Sequence, residues 1–365
     1  MTDTTATVYY ISPEGNEQAD GSAAAPLRTL GEALKRVAHA PGPAEIVLLP
    51  GVYPPLSLRG AQGTPERPVV IRGLQPVLID YSVPAQLDRR MEWQAARLAL
   101  DSGAWQLPDA NGLAVIAGGA DGSEICGCAN LRLEHLVFYN GRNVLAVRRC
   151  REVTIADCVV TGEPAQSVNG VAFRVGGPDD EPSRRVTVER VLVYNLKENG
   201  FVVEPGALFD SCWESCIAHG MQSSGGDGFA FLHVLPSANP SAHPNRVFPD
   251  GIQYDITLRR CLALRNRLDG FDIGQGVGGV TLELCLGDGN AWGEWHSKDL
   301  KVWSGSNRLI QSRMTGRTLF VNGTTEMRDF KAGTSDVRVG YGTASGKPFA
   351  TPLRESGSPE GDSAS

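Results

Sequence analysis

The second half of the sequence repeats one short pattern, as Asn199-Gly200-Phe201, Asp227-Gly228-Phe229 and Asp269-Gly270-Phe271. The third copy continues to Asp272, and about one repeat later the chain reads Lys298-Asp299-Leu300-Lys301. Asn-Gly and Asp-Gly favour a left-handed backbone, and the following Phe suits a core position. We interpret the copies as equivalent positions of a repetitive β-structure, with carboxylates and a lysine stacked along one edge.

Short alternating apolar segments recur on both sides of this pattern. They begin at Leu131, Val153, Val186, Ile256 and Val280. A repeat of about 22 to 25 residues with turns between strands is typical of a solenoid. The Leu/Asn consensus of leucine-rich repeats is absent from these segments. The sequence therefore predicts an all-β fold, a single-stranded right-handed parallel β-helix, with coils about 4.8 Å apart.

An amphipathic helix is predicted at 27–40, ahead of most of the strands. Leu30, Ala33, Leu34 and Val37 recur at spacings of three and four, which gives one apolar face. Pro41-Gly42-Pro43 ends the helix. An open β-stack needs its apolar end covered, so we expect this helix to cap the solenoid.

The pattern predicts one β-helix domain over 1–343. Residues 82–112 and 235–253 interrupt the repeats and are interpreted as loop insertions. Residues 344–365 are rich in Ser, Gly, Pro and Glu, and this composition predicts a disordered C-terminal tail.

Composition limits the function classes. The formal net charge is -7, and the chain has no run of Lys or Arg, which argues against a nucleic-acid partner. No window holds the roughly 18 apolar residues of a membrane span. The first residues lack a signal-peptide pattern, so we expect a secreted protein if a signal was removed and a cytoplasmic one otherwise. A monomer is expected.

The sequence has eight cysteines, an even number that is compatible with disulfides. Cys158, Cys261 and Cys285 fall at one position of the repeat, where buried small side chains belong. Cys126-Gly127-Cys128 has no second pair at zinc-binding spacing. We therefore predict buried free thiols and no zinc site.

Asp227, Asp269 and Asp272 would gather negative charge on neighbouring coils. Stacked like charges are unfavourable unless a cation lies among them, and Ca²⁺ accepts such oxygen ligands. A structural turn is the alternative for the Asp-Gly pairs. If the register holds, Lys301 lies beside Asp272, either as a surface ion pair or as a base whose pKa is lowered by a nearby metal ion.

These residues resemble family 9 polysaccharide lyases, which are pectate lyases. That family carries an Asp-Gly-Phe-Ala coil, an Asp-Asp-Gly-Trp-Asp coil and a later Asn-Gly-Phe-Lys coil. The matching segments here are Asp227-Gly228-Phe229-Ala230, Leu268-Asp269-Gly270-Phe271-Asp272 and Lys298-Asp299-Leu300-Lys301. Leu268 stands where the family has an aspartate, and Lys298-Asp299 replaces Asn-Gly. The N-terminal stretch from Tyr10 to Gly15 is also similar to the entry of many parallel β-helix proteins.

The resemblance implies a lyase that cleaves an acidic, uronate-containing polysaccharide or oligosaccharide by β-elimination. It implies Ca²⁺ on Asp227, Asp269 and Asp272, and Lys301 as the base. The cation would stabilise charge that develops on the uronate carboxylate while the base removes the adjacent proton.

Three arginines, Arg265, Arg267 and Arg308, are candidates to hold substrate carboxylates through bidentate contacts. An exposed position on the outer face is the alternative for each.

Three tryptophans, Trp292, Trp295 and Trp303, lie near Lys301 in the sequence and are candidates to carry a sugar ring. Filling space under a loop is the alternative. His233 and His296 fall near the same coils and are candidates for acid or base, or for a structural role.

Two other function classes fit the same residues. An epimerase or a glycoside hydrolase can be built on this scaffold, and a hydrolase would use two carboxylates about 5 to 9 Å apart without a metal. A non-catalytic carbohydrate-binding β-helix is the third possibility. The scaffold alone does not choose between them.

Overall fold

The computed structural model describes residues 6–40, 43–77, 112–176, 180–233, 251–290, 299–303, 305–316, 318–320, 325–332 and 338–339. Several sequence predictions lie outside these ranges. They are the 82–112 insertion except for Gly112, positions 235–250 of the second insertion, the 344–365 tail, Trp292, Trp295 and His296.

The capping helix, α1, spans Leu30–His39 and lies against the first strands of the solenoid. It starts three residues later than predicted because Thr29 is extended and acts as the N-cap, with its hydroxyl accepting a hydrogen bond from Glu32 N at 3.3 Å. Ala33 is buried, and Leu30, Leu34 and Val37 pack against the core. Within the described ranges, no helix is both long enough and apolar enough to cross a membrane.

The strands of the described residues form three parallel sheets, named sheet 1, sheet 2 and sheet 3. Sheet 1 contains β1 (Thr7–Ile11), β2 (Ala44–Leu48), β5 (Val69–Gly73), β8 (Ala129–Glu134), β11 (Arg151–Ala156), β14 (Ser183–Glu189), β17 (Leu208–Phe209), β18 (Ser211–Glu214), β21 (Ile252–Arg259), β24 (Val277–Glu283), β27 (Asn307–Ile310) and β30 (Thr325–Arg328).

Sheet 2 contains β3 (Gly51–Tyr53), β6 (Ala114–Ala117), β9 (Leu136–Tyr139), β12 (Val159–Thr161), β15 (Leu192–Tyr194), β19 (Ile217–His219), β22 (Leu262–Leu264), β25 (Leu286–Asp288), β28 (Arg313–Met314) and β31 (Lys331–Ala332). Sheet 3 contains β4 (Ser57–Arg59), β7 (Ser123–Cys126), β10 (Asn143–Arg148), β13 (Asn169–Phe173), β16 (Phe201–Val203), β20 (Phe229–Phe231), β23 (Phe271–Ile273), β26 (Leu300–Val302), β29 (Thr318–Phe320) and β32 (Arg338–Val339).

Each coil visits the three sheets in turn, as β21, β22 and β23 do, and each strand pairs with the equivalent strand of the next coil. This is the right-handed parallel β-helix that the sequence predicts. Because all coils keep one register, residues far apart in the chain stack in columns that run along the solenoid.

One such column fills the core beneath sheet 3. The rings of Phe201 and Phe229 are stacked with centroids 4.8 Å apart, and those of Phe229 and Phe271 are 5.0 Å apart. Leu300 continues the column on the next coil. Trp213, from sheet 1, packs against both Phe201 and Phe229. These buried rings fix the height of each coil and so the position of the residues just before and after them.

The corner between sheet 1 and sheet 2 has its own column. A residue with left-handed backbone directly follows four of the sheet 1 strands, β11, β18, β21 and β24: Asp157, Ser215, Arg260 and Leu284. An inward-facing cysteine follows each of them: Cys158, Cys216, Cys261 and Cys285. All eight cysteines lie in the described residues and are free thiols, as predicted, and seven of them are buried; Cys212 is exposed, which the prediction of buried thiols missed.

Candidate functional site

The Asp-Gly-Phe copies and the Lys301 segment meet on sheet 3 in the predicted register. Phe229 pairs with Phe271, which pairs with Leu300, and Asp272 pairs with Lys301. Asp227 and Asp269 occupy equivalent positions, two residues before Phe229 and Phe271. The solenoid therefore brings four residues that are distant in the sequence to one place.

The glycines of these copies have a different role from the one predicted. The backbones of Gly200, Gly228 and Gly270 are not left-handed. A Cβ at Gly228 would instead meet Gly270 O at 2.6 Å, and a Cβ at Gly270 would meet Asp299 O at 2.5 Å. Glycine is needed because adjacent coils approach each other closely at this point.

Strand alternation directs Asp272 and Lys301 away from the core. Phe271, Ile273 and Leu300 are buried, whereas the residues between them are only partly covered. In a β-strand successive side chains point to opposite faces, so Asp272 and Lys301 share the outer face of sheet 3. Both side chains are therefore reached from outside the solenoid and not from its core.

Lys301 and the aspartates form a compact charged cluster. Lys301 Nζ lies 2.7 Å from Asp269 Oδ2 and 3.8 Å from Asp272 Oδ2. The Asp269 backbone N donates to Asp227 Oδ1 at 2.8 Å. The Asp269 side chain is only 1% exposed, whereas those of Asp272 and Lys301 are 13% and 16% exposed.

Burial sets the electrostatics of this cluster. The pKa of Asp272 is raised to about 7. Desolvation is the main cause and Asp269 adds to it, while Lys301 opposes the rise. Desolvation, and then Asp272 and Asp269, raise the pKa of Asp227 well above its usual value. Burial works against the Lys301 ammonium, but the carboxylates of Asp272 and Asp269 outweigh it and raise the pKa of Lys301. The pKa of Lys301 is therefore raised, not lowered as the predicted role of base requires, and Lys301 is an ammonium in this arrangement.

Asp272 Oδ1 and Trp303 Nε1 are buried beside Lys301, and neither makes a hydrogen bond of ordinary geometry among the described residues. The Trp303 side chain nevertheless lies close enough to Asp272 to lower the pKa of that carboxyl group. The indole N–H and the carboxyl group therefore interact with each other.

Trp303 and His233 border the cluster. Lys301 Nζ lies 5.0 Å from the centroid of the Trp303 ring, and the His233 ring meets Trp303 edge-on with centroids 5.1 Å apart. Gln275 N donates to His233 Nδ1 at 3.1 Å, so a neutral His233 carries its proton on Nε2. The structure thus places Trp303 next to Lys301, and His233 next to Trp303.

None of the three predicted arginines lies on a strand of sheet 3. Arg308 lies on β27 of sheet 1, where Nε is 3.1 Å from Glu326 Oε2, and not on sheet 3. Arg265 is an exposed corner residue with φ 51°. Arg267 Nη1 donates to Gln222 O at 3.1 Å, in the turn that precedes Asp269.

Asp299 is a buried acid that takes no part in the cluster. It occupies the position of Gly270 on the next coil and is 1% exposed. Asn290 Nδ2 donates to Asp299 Oδ1 at 2.8 Å, and Gly316 N donates to Oδ2. Burial raises the pKa of Asp299, while these hydrogen bonds oppose the rise. Its role is to join neighbouring turns.

The resemblance implies a calcium ion bound by Asp227, Asp269 and Asp272. Carboxylate oxygens suit Ca²⁺. Among the described residues, however, no three acidic, histidine or cysteine side chains converge to hold a metal ion. Lys301 Nζ, at 2.7 Å from Asp269 Oδ2, occupies the position of a cation on that carboxylate. The residues as arranged do not fit a calcium ion.

The sequence predicts a turn at Asn199 and singles out no equivalent position on the earlier coils. Register places Asn143, Asn169 and Asn199 at the same position as Asp227 and Asp269. The signal was present, because each of Asn169, Asn199, Asp227 and Asp269 precedes a glycine and then an inward-facing residue.

No family model matches the sequence, and no curated protein matches it. Fifteen chains of solved structures match. A structure titled glycoside hydrolase is 10% identical and has a TM-score of 0.54, over 89% of this chain and 97% of that one. A rhamnogalacturonan lyase is 11% identical and has a TM-score of 0.52, over 89% of this chain and 87% of that one.

The structure of pectate lyase Pel9A is 15% identical and has a TM-score of 0.44, over 92% of this chain and 73% of that one. At these identities the likeness concerns the fold alone. The chain is a right-handed parallel β-helix, similar in architecture to these carbohydrate-active proteins.

Proposed function

We propose that this protein is an enzyme that cleaves a uronate-containing polysaccharide by β-elimination on the outer face of sheet 3. One observation carries the proposal: the Lys301 ammonium lies 3.8 Å from Asp272, whose pKa is raised to about 7. Elimination needs a positive charge on the uronate carboxylate and a base for the adjacent proton. Lys301 and Asp272 supply these two groups side by side.

In the proposed reaction the Lys301 ammonium pairs with the uronate carboxylate and stabilises the charge that develops there. Ionised Asp272 removes the proton from the carbon next to that carboxylate. The electron pair released forms a carbon–carbon double bond, and the glycosidic C–O bond on the far carbon breaks. The leaving oxygen takes up a proton from solvent, to which Asp272 returns the proton that it removed. Asp269 holds Lys301 in position through the 2.7 Å ion pair.

The surroundings of Lys301 support a sugar ligand. Asp272 and Trp303 interact with each other beside Lys301, and a sugar hydroxyl would exchange with that contact. An indole beside a charged group is a common setting for a sugar, because its apolar face accepts C–H groups and its N–H donates. The parallel β-helix scaffold, shared with a rhamnogalacturonan lyase, is compatible with a long polymer lying across successive coils.

Glycoside hydrolysis is a second candidate, because two carboxyl groups lie close enough together to permit it. Asp269 Oδ2 and Asp272 Oδ2 both lie near Lys301 Nζ, so they are at most about 6.5 Å apart, the sum of the two distances. Carboxyl groups about 5 to 9.5 Å apart serve in glycosidases, one as the acid and the other as nucleophile or base. Asp272 would be the acid and Asp269 the ionised partner.

The two candidates are separated by their products. The purified protein would be incubated with polygalacturonate, alginate and a neutral xylan, while ultraviolet absorbance and new reducing ends are followed together. Elimination gives both signals in step on a uronate polymer, and Asp272→Asn abolishes both. Reducing ends without absorbance would overturn elimination in favour of hydrolysis. Binding without either signal across all three polymers would indicate a carbohydrate-binding protein.

A further inference from the structure

A short ladder of side-chain amides lies at the corner between sheet 2 and sheet 3. Met221 N donates to Asn266 Oδ1 at 3.2 Å. Asn266 N and Nδ2 both donate to Asn290 Oδ1, at 3.0 and 2.9 Å. Asn266 therefore accepts from the coil before it and donates to the coil after it. The ladder joins the three turns that lead to β20, β23 and β26, the strands of the candidate site.

Asp299 ends this ladder. Asn290 N and Nδ2 donate to Asp299 Oδ1 at 3.2 and 2.8 Å, which is the same pair of bonds that Asn290 Oδ1 receives from Asn266. The other carboxylate oxygen, Oδ2, accepts from Gly316 N, and Thr315 Oγ1 lies 3.5 Å from it. A carboxylate has only acceptors, so it can close the ladder without leaving a donor unpaired.

Asp299 stands in a column of glycines. Gly228 and Gly270 occupy the equivalent position on the two preceding coils. A Cβ at Gly228 would lie 2.7 Å from Asn266 Nδ2, and a Cβ at Gly270 would lie 2.6 Å from Asn290 Nδ2. The asparagine of the following coil thus fills the space beside each glycine. At Asp299 the residue's own carboxyl group fills this space, which accounts for an acid where the earlier copies have glycine.

The backbone of Asp299 ties the same point to the coil before it. Phe271 N donates to Asp299 O at 3.0 Å. This bond is next to the register pair of Asp272 and Lys301. Asp299 is 1% exposed and comes two residues before Lys301. Because Asp299 is bonded to the turn before β26, to β23 and to the following coil, it fixes the start of the strand that carries Lys301.

We propose that Asp299 is a positioning residue for Lys301. By ending the amide ladder it fixes β26 on β23, and it thereby holds the Lys301 ammonium 2.7 Å from Asp269. Asp299 contacts no reacting group in this scheme and acts only through the backbone of β26. The expected effect on catalysis rests on the proposed function, whereas the expected effect on the Lys301 side chain does not.

The accessibility of Lys301 can be measured without a substrate. Reductive methylation of the full chain with isotopic formaldehyde, followed by peptide mass spectrometry, gives the labelling rate of each lysine. Lys35 is the internal reference, because its side chain is 76% exposed. Asp299→Ala should raise the rate at Lys301 by at least about fivefold relative to Lys35, because local opening of β26 releases the ammonium from Asp269. An unchanged rate in folded Asp299→Ala would overturn the proposal.

Asp299→Asn provides a milder change at the same position. It keeps an oxygen for the Asn290 donors but turns an NH₂ group toward Gly316 N, so its labelling rate at Lys301 should lie between those of wild type and Asp299→Ala. Should Asp299→Ala fail to fold, Asp299→Asn decides alone: a rate above wild type supports the proposal, and a rate equal to wild type overturns it.

Ser312→Ala is the matched control for a general loss of stability. Ser312 is also 1% exposed, and its hydroxyl also joins neighbouring coils, but at the corner between sheet 1 and sheet 2. It should lower the thermal unfolding midpoint while leaving the labelling of Lys301 within about twofold of wild type, because the two sites are independent. If Ser312→Ala exposes Lys301 as much as Asp299→Ala does, Asp299 acts through overall stability and the proposal fails.

Kinetics on a polymer that the wild type cleaves give the second readout. Asp299→Ala should lower kcat by about tenfold or more and change KM by less than about threefold, because a misplaced charge matters most in the transition state. Ser312→Ala should change neither constant. An unchanged kcat, or an effect on KM alone, would overturn the positioning role. If no polymer is cleaved, the proposed function fails, and the labelling comparison still decides the role of Asp299.

Discussion

Asp272 and Lys301 are register partners on β23 and β26, and their charged atoms lie 3.8 Å apart on the outer face of sheet 3. Such register pairs are ordinary on the surface of a parallel sheet. What distinguishes this pair is Asp269, which lies 2.7 Å from the same ammonium and is almost completely buried. Lys301 is therefore shared between one buried and one partly exposed carboxyl group.

Removing the ammonium should destabilise the fold. Lys301→Met leaves Asp269 and Asp272 without their cation, and breaking a buried ion pair costs about 3 to 5 kcal/mol. Urea unfolding at pH 7.5 measures the loss. Arg308→Ala is the control, because its pair with Glu326 is half exposed and should cost less than about 1 kcal/mol. Equal effects of the two substitutions would show that the Lys301 pair is energetically a surface pair.

Activity should depend on Asp272 and on its protonation. Loss of a general base lowers the rate by about 10² to 10⁴, so Asp272→Asn should reduce kcat/KM on the active polymer by this factor. For elimination, kcat/KM of the wild type should rise with pH and level off above about 7, because the base must be ionised. A profile that falls above about 7 would identify Asp272 as an acid and support hydrolysis.

Stability should depend on pH through the same residue. The folded pKa of Asp272 is raised from the usual 3.8 to about 7, so the folded state binds the proton more tightly than the unfolded state. The stabilisation by neutral Asp272 is full below about pH 4 and is lost as pH rises to about 7, with a slope of at most about 1.4 kcal/mol per pH unit. Asp272→Asn should flatten this part of the pH–stability curve. An unchanged curve would contradict the raised pKa.

Calcium addition tests the ligand set implied by the resemblance to family 9 polysaccharide lyases. Because Lys301 occupies the cation position on Asp269, we expect 5 mM calcium chloride to shift the unfolding midpoint by less than about 1 °C, and a chelator to leave activity unchanged. A gain of several degrees that disappears in Asp269→Asn would restore the calcium site and require Lys301 to move aside.

The phenylalanine column should be sensitive to loss of volume. Phe229 stacks on Phe201 and Phe271 and is fully buried, so Phe229→Ala should cost about 3 to 5 kcal/mol. Phe229→Leu retains most of the volume and should cost less than half as much. Denaturant unfolding of both variants makes the comparison. A negligible cost for alanine would mean that the coils hold their spacing without the rings.

Much of the fold was predictable because each coil of a solenoid repeats the same pattern of apolar residues and turns in the sequence. The repeated strands, the inward cysteines and the pairing of Asp272 with Lys301 all follow from one register, which the Asp-Gly-Phe copies reveal. The charge states were not predictable. They depend on the 2.7 Å contact between Lys301 and Asp269 and on the burial of Asp227, which are side-chain properties that spacing does not encode. The role of Gly228 and Gly270 was also predicted wrongly, as a left-handed turn. A close approach between two coils cannot be deduced from the sequence of one coil.

The equivalence of Asn143, Asn169, Asn199, Asp227 and Asp269 has a consequence for how such a protein can change. Since every coil offers the same backbone at this point, an amide and an acid can be exchanged here without remodelling of loops or strands. The number of carboxyl groups near Lys301 can therefore change by single substitutions, while the frame that holds Asp272 beside Lys301 stays the same.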